Sequence, residues 1–433
     1  MINKRIKLFF AALVISLVNI PVGESLAQTL PGFAEKRISY ADFITKVGKN
    51  NPGYIAEKFN VNIADAQVLS AGIFPDPELS AGWFDHGERR MEMGYGFHTE
   101  LSWTLELGGK RKARVDLAKS EYELSKHLLE NYFQNLRADA TIHFLQAIQN
   151  QKLLEVQLSS YKTMRELALS DSIRYSLGSI TRVDVRQSKL EAGTMYNEVI
   201  QAEAELKISL AGLSVFLGSH HADTLWLPEG DFQSLERHYS LAELITASQN
   251  NRADLLAALQ HKDVSRNLVR LAQANRVIDL GLFGSIEHAT DARNETAPTP
   301  AHTTVSAGIT IPLKFSNLRP GELKSAHFAN QQAEAQYSQI EMEIRNEVTQ
   351  AYLYYMALQK QVKQFNDGLL TEAKAVLDGK IYSYQRGETS LLEVLNAQRT
   401  FNEVQQSYYQ TLFRHAEALV ELQRVAGIWD IFL

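Results

Sequence analysis

Between positions 95 and 107, apolar and polar residues alternate. The odd positions are Tyr95, Phe97, Thr99, Leu101, Trp103, Leu105 and Leu107; between them lie Gly96, His98, Glu100, Ser102, Thr104 and Glu106. A period of two, with one apolar face and one face that carries charge, predicts a strand over 95–107. Positions 303–313 repeat the pattern, with Val305, Ile309 and Ile311 against Thr304, Ser306 and Thr310. Weaker alternation predicts partner strands over 78–86 and 277–288, the latter with Ile278, Leu280, Leu282 and Ile286 on one face. Strands of about ten residues with two such faces suit a membrane barrel. They suit a soluble sandwich with one wet face equally well. Four strands cannot close a barrel, because about eight is the smallest size, so the barrel reading needs several chains.

Elsewhere the period is helical. Proline is absent from 112–176 and from 322–386, and uninterrupted long helices are expected over 110–176 and 321–386. At ~1.5 Å per residue each would reach about 100 Å, too long for a compact domain. Two further helices are expected over 181–217 and 390–426. The last has a seam of Leu391, Val394, Phe401, Val404, Tyr408, Leu412, Ala416 and Leu419, spaced for coiled-coil-like packing. The fold class is thus mixed α and β, with a small share of strand beside very long helices.

The order of elements occurs twice. Gly178 and Gly387 each follow a long helical run and lead into Val183-Asp184-Val185 and Leu392-Glu393-Val394. Gly218 and Gly427 close the next helices at the same interval. Asn50-Asn51 and Asn250-Asn251 stand upstream as helix N-cap candidates, with Pro52 suited to a first helical position. The predicted organisation is one repeat over 28–218, a linker over 219–239 containing Pro228-Glu229-Gly230, and a second repeat over 240–433.

Lys4, Arg5 and Lys7 precede an apolar run over 8–18, and Ser25-Leu26-Ala27 follows. This predicts a signal peptide over 1–27, since a spanning helix needs ~20 apolar residues. No later segment reads as a transmembrane helix, so membrane residence would require a β-barrel. The chain carries a formal charge of −6 and no basic block, which argues against nucleic acid as a partner. It has no cysteine, so neither a thiol nucleophile nor a lipidated N-terminal cysteine is expected. Gly108-Gly109-Lys110 lacks the earlier glycine of a phosphate loop, and no arrangement suggests an enzyme or a cofactor.

Phe74-Pro75-Asp76-Pro77-Glu78-Leu79, Leu105-Glu106-Leu107-Gly108-Gly109-Lys110-Arg111 and the two glycine turns, in this order and duplicated, resemble the TolC-type outer-membrane efflux family. The second of these segments resembles its CzcC/CusC-like heavy-metal branch. The resemblance spans nearly all of the chain after the leader. It implies a homotrimer in which each protomer gives four strands to one twelve-stranded outer-membrane β-barrel, continued by a coiled-coil α-barrel of the long helices. It also implies a periplasmic adaptor protein and an inner-membrane pump of the resistance-nodulation-division type as partners, with lipid around the barrel. The implied function is a passive exit duct, for heavy-metal cations by the branch resemblance. The alternatives are a duct for type I protein secretion or a periplasmic coiled-coil scaffold without a pore.

By the same resemblance, Leu177, Gly178 and Ser179 with Arg386, Gly387 and Glu388 form adaptor-docking helix tips. Tyr384, Glu393, Asn396 and Asp184 are placed at the periplasmic aperture, Tyr384 as a closing link and Glu393 as an acidic ring. Asn396 stands where some members have a second acid. Glycine at 178 and 387 also suits a purely structural turn. His86, Met91, Met93 and His98 cluster around a predicted extracellular loop and offer soft ligands, but their spacing matches no defined metal site.

Overall fold

The computed structural model describes residues 34–85, 92–219, 224–232, 235–313 and 318–432. The predicted leader lies outside them, as do His86 and Met91. The first unit runs β1 (Ala34–Ser39), α1 (Tyr40–Asn50), α2 (Pro52–Ala71), β2 (Glu78–Asp85), β3 (Tyr95–Leu105), α3 (Lys110–Ser176) and α4 (Arg182–Phe216). The second runs β4 (Thr224–Glu229), α5 (Leu241–Asn251), α6 (Ala253–Ala274), β5 (Leu280–Ala289), β6 (His302–Thr310), α7 (Pro320–Gln364), a π-turn (Phe365–Leu369), α8 (Leu370–Gln385) and α9 (Leu391–Ala426). The same order of helices and hairpin thus occurs twice.

The two hairpins join into one antiparallel sheet of order β2-β3-β5-β6. Its register sets Trp83 beside Phe97, Thr99 beside Ile286, Trp103 beside Leu282 and Ile286 beside Val305. Glu78, His98, Glu100, Ser102 and Glu287 fall on the opposite face, because alternate residues point to opposite sides. Among the described residues the apolar face is left open: Leu79 is 71% and Val305 74% exposed. A soluble sandwich would bury that face, so the sandwich reading fails here. β2 and β6 are left as open edges, which a membrane sheet must close against further strands.

The segment between sheet and rod explains its own sequence. Gly108 and Gly109 both have positive φ, at 72° and 71°. A Cβ on Gly108 would lie 2.5 Å from Val277, so this turn requires glycine. Lys110 donates to Asp279 at 2.6 Å and ties the first repeat to the second. Arg111 donates to the Gly72 carbonyl at 2.6 Å, and Arg114 pairs with Glu106.

Four expectations are corrected. First, the second long helix is not continuous: Gly368, at φ 125°, opens a π-turn between α7 and α8. Asn366-Asp367-Gly368 is turn chemistry inside a helical run, and Gly368 takes a backbone conformation that L residues avoid. Second, the linker contains β4, which pairs in parallel with β1 from Ala34 opposite Thr224 to Ser39 opposite Glu229. Pro228 removes a donor but stands in a two-stranded sheet, where an edge tolerates it. Third, Asn51 caps α2 by accepting from the Tyr54 amide at 3.0 Å, but its counterpart in the second repeat is Arg252. Asn250 and Asn251 instead end α5, while buried Arg252 binds Asp254 and Glu347. Fourth, Val277 and Ile278 precede β5, in the turn closing α6, where the Val277 amide donates to Ala274 at 3.0 Å.

The main core lies at the middle of the rods. Phe43 and Phe144, Leu213, Ile344, Val348, Tyr355 and Leu419 are buried there. α9 packs on α3 on one side and on α7 and α8 on the other. Its buried stripe includes Leu391, Val394, Ala416 and Leu419 of the predicted seam and adds Gln398 and Asn402, whereas Phe401 and Val404 are half-buried. Asn402 Oδ1 accepts from Ser160 of α3 at 2.5 Å and from Gln398 at 2.9 Å.

Candidate functional site

The rods reverse at two tips of the same construction. Gly178 has φ 75° and donates to the Tyr175 carbonyl at 2.9 Å, and Ser179 donates to Arg174 at 2.9 Å. Gly387 has φ 81° and donates to Tyr384 at 3.0 Å, and Glu388 donates to Ser383 at 3.0 Å. Each is a left-handed helix stop that satisfies the last carbonyls. An added Cβ at either glycine meets open space. Leu177 is 74% and Tyr382 55% exposed, so both tips present apolar surface, the second beside the Arg386 guanidinium.

The tips then diverge. Asp184 is consumed by its own helix: its carboxylate accepts from the Thr181 amide at 3.0 Å and hydroxyl at 2.7 Å, while the Asp184 amide returns the bond. This reciprocal cap satisfies two orphan donors. In the second copy Ser390 makes no side-chain cap, and Glu393 is free to turn to Lys380, whose ammonium it accepts at 2.6 Å. The hydrogen bond to Lys380 and its positive charge hold the Glu393 carboxyl below the usual range. Asn396 follows one turn later and is exposed.

Tyr384 is the buried member. It sits among Met164, Leu167, Met195, Leu391 and Val394, so both hairpins share one small core at this end. Its hydroxyl donates to Asp171 of α3 at 3.0 Å. Asp171 is fully buried, and burial pushes its carboxyl above the usual range, opposed by Tyr384 and by Arg174. The Arg174 guanidinium lies 4.8 Å from the Tyr384 ring and 3.8 Å from Asp171. Burial first, then the bond to Asp171, raises the Tyr384 phenol. Asp171, Arg174 and Lys380 were missed from sequence. A carboxylate four residues after Leu167, within an apolar stripe, was the available signal for Asp171.

The proposed soft-ligand cluster is not assembled by the described residues. Met93 accepts from the Asn294 amide at 3.3 Å in the loop before β3. His98 lies within β3, 3.9 Å from Glu100 and 4.0 Å from Glu287. Among the described residues no group of three or more His, Cys, Asp or Glu could hold a metal ion.

This architecture has known counterparts. The outer membrane efflux protein family matches residues 46–219 and again 244–428. The cobalt-zinc-cadmium resistance protein CzcC of Cupriavidus metallidurans is 20% identical over 405 residues, covering 94% of each chain. The outer membrane protein TolC of Vibrio cholerae is 22% identical over 411 residues, covering 89% of this chain and 90% of that one. A crystal structure of CusC superposes with a TM-score of 0.73 at 18% identity, covering 89% of this chain and 91% of that one. The open-state outer membrane channel MtrE of Neisseria gonorrhoeae superposes with a TM-score of 0.70 at 15% identity, covering 89% and 88%. With two family matches that together take in most of the chain, and with the sheet and rods described above, the protein belongs to the outer membrane efflux protein family and is an outer-membrane efflux channel, not an enzyme.

Proposed function

We propose that the protein is the exit duct of a three-component export system and works as a homotrimer. The observation that carries this reading is the four-stranded sheet with an exposed apolar face and two open edges, set on rods far longer than a compact core. Three copies would supply twelve strands, join edge to edge and leave no backbone group unpaired in lipid. The polar faces would then line one lumen, continued through the periplasm by the helices. The repeats over 28–218 and 240–433 contribute two strands and a helical hairpin each.

The exposed tips at Leu177, Gly178, Ser179, Arg386, Gly387 and Glu388 are the docking points for a periplasmic adaptor, which links the duct to an inner-membrane pump of the resistance-nodulation-division type. Tyr384, Glu393, Asn396 and Asp184 belong to the aperture. Heavy-metal cations are the proposed cargo. In support, the relative CzcC is named for cobalt, zinc and cadmium resistance, and β2, β3, β5 and β6 contain Glu78, Glu100 and Glu287 but no lysine or arginine. A wall of that charge favours cations.

The duct is tested by isolating heat-modifiable trimers from outer membranes and recording conductance in planar bilayers. Monomers without conductance would overturn it. Docking is tested separately with Gly178→Trp and Gly387→Trp. Both sites have room for a side chain, at a strain cost of about 1–3 kcal/mol for the positive φ. Trimers should form while adaptor-dependent resistance to cobalt, zinc or cadmium is lost. Full resistance in both variants would remove the tips from the docking surface.

A further inference from the structure

The chain crosses between sheet and rods at residues 72–79, 105–119, 275–280 and 318–324. Side chains tie these crossings together. Arg111 Nε donates to the Gly72 carbonyl at 2.6 Å, Lys110 joins Asp279, and Arg276 Nε donates to the Leu318 carbonyl at 2.9 Å. The four segments hold eight Lys or Arg against six Asp or Glu, in a chain whose formal charge is −6. The apolar sheet face ends at this level. Trp103, on that face, donates its indole N–H to the Pro75 carbonyl at 2.9 Å, and Ile73, Phe74 and Leu107 are exposed. Basic side chains thus border the surface that an outer-membrane channel turns to lipid.

A second observation concerns how the cations are held. Lys110 pairs with Asp279, Arg114 with Glu106 and Arg319 with Glu322. Arg111, Lys112 and Arg276 have no carboxylate partner among the described residues. Arg111 uses Nε on the Gly72 carbonyl and lays its guanidinium 4.2 Å from the centre of the Phe74 ring. Arg276 uses Nε on Leu318. The two repeats thus make one kind of join with donor and acceptor exchanged. In both, the terminal guanidinium nitrogens have no partner among the described residues. A guanidinium fixed at Nε presents its other nitrogens as a fork, which matches the oxygens of a phosphate.

The remaining acids of these segments are Asp76, Glu78 and Asp116. None pairs with Arg111, Lys112 or Arg276 among the described residues, and Glu78 belongs to the polar sheet face. The position selects the class of partner. Arg111 and Lys112 are exposed beside exposed Ile73 and Phe74, with no enclosing wall for a small soluble anion. A phospholipid supplies both halves of the match. Its phosphate meets the guanidinium forks, its acyl chains cover the apolar side chains, and an anionic leaflet attracts the basic residues as a group.

We propose that Arg111 and Arg276, supported by Lys112, bind the headgroup phosphates of anionic phospholipids in the periplasmic leaflet of the outer membrane. Acyl chains lie along Ile73, Phe74 and Leu107. This collar sets the depth of the sheet in the bilayer and takes no part in carrying cargo. It rests on the reading that the apolar sheet face meets lipid.

The test places the full-length protein in phosphatidylcholine vesicles with spin-labelled phosphatidylglycerol or spin-labelled phosphatidylcholine as the probe. Electron paramagnetic resonance reads the lipid held at the protein surface. Phosphatidylglycerol should be held about fivefold more strongly. Arg111→Gln with Arg276→Gln should bring the ratio to about one. Lys112→Gln, on an exposed side chain with no bond to a described residue, should lower it about twofold. That single variant keeps the test open should the double variant fail to assemble. Arg293→Gln, at the opposite end of the strands, should leave the ratio unchanged. Inorganic phosphate should displace the lipid no more than chloride of equal ionic strength. Equal retention of both lipids by the wild type would overturn the proposal. So would an unaltered ratio in Lys112→Gln, an equal loss in Arg293→Gln, or specific displacement by phosphate. Conductance recorded on the same preparation keeps the two readings apart: a conducting trimer that holds both lipids equally removes the collar and leaves the duct standing.

Discussion

Tyr384 joins the two repeats through a single hydroxyl, and its partner Asp171 is an acid that burial would rather keep protonated. Tyr384→Phe removes that donor and leaves a buried carboxylate oxygen without it. The expected cost to the packing of this tip is about 1–3 kcal/mol, and if Tyr384 belongs to the aperture as proposed, the variant should show a higher open probability in single-channel records. The sign of the pH dependence follows from the raised Asp171 value. Its contribution to the packed tip is complete below its ordinary value of 3.8 and is lost as pH rises through the raised one. Protection factors of α8 and the start of α9, corrected for intrinsic exchange, should therefore fall as pH rises, and Asp171→Asn should erase that trend. Glu393 behaves in the opposite way, because Lys380 already balances its charge. Glu393→Gln adds one net positive charge per protomer at the tip. Cation selectivity should fall, and unchanged reversal potentials would remove Glu393 from the aperture.

The elements show why two copies of one unit are not interchangeable. α3 runs unbroken for 67 residues, whereas its counterpart is divided at Gly368. The first hairpin is thus the stiffer, and the second, which carries Tyr384 and Glu393, has the joint. Between them lies the buried trio Ser160, Gln398 and Asn402. In a seam of long helices an apolar stripe permits sliding by a turn, and a polar group that must find its partner forbids it. Asn402→Leu alone should lower the thermal midpoint, because Ser160 and Gln398 both lose the Asn402 acceptor, at a cost of about 1–3 kcal/mol. Replacing all three by apolar residues should restore the midpoint while the tips lose their single register. Cysteine cross-linking between α3 and α9 reads the second effect: one register in the wild type, two or more in the triple variant.

At the scale of the whole molecule, the lone chain leaves its membrane face, its lumen face and both sheet edges uncovered. Under the proposed trimer such a sheet would gain stability by closing with other copies, and insertion and oligomerisation would be one event. The four strands have no lysine or arginine, and Glu100 and Glu287 flank His98 on their polar face. Glu100→Gln with Glu287→Gln should reduce the cation preference measured as reversal potential in a salt gradient. Trimer stability should be unchanged, since neither carboxylate packs in a core. A preference equal to the wild type would place selectivity elsewhere along the duct.

The amino-acid sequence by itself determined the periods, the turns and the duplication. Alternation marked the strands from Glu78 to Thr310, and Gly178 and Gly387 marked the reversals, because backbone geometry and side-chain direction are local properties. Gly368 was legible in the same way and was passed over within a long helical run. The tertiary structure decided which distant groups meet. Tyr384 and Asp171 are 213 positions apart, and neither names the other. β1 and β4 pair across most of the first repeat, and neither alternates strongly enough to be read alone. The α9 seam was legible at Leu391, Val394, Ala416 and Leu419, which are buried, but not at Gln398 and Asn402. α3 packs on this helix as well as α7 and α8, so burial widens beyond the most apolar line and takes in these two polar residues too. Periodicity is written into each rod, but partnership exists only once the rods are packed.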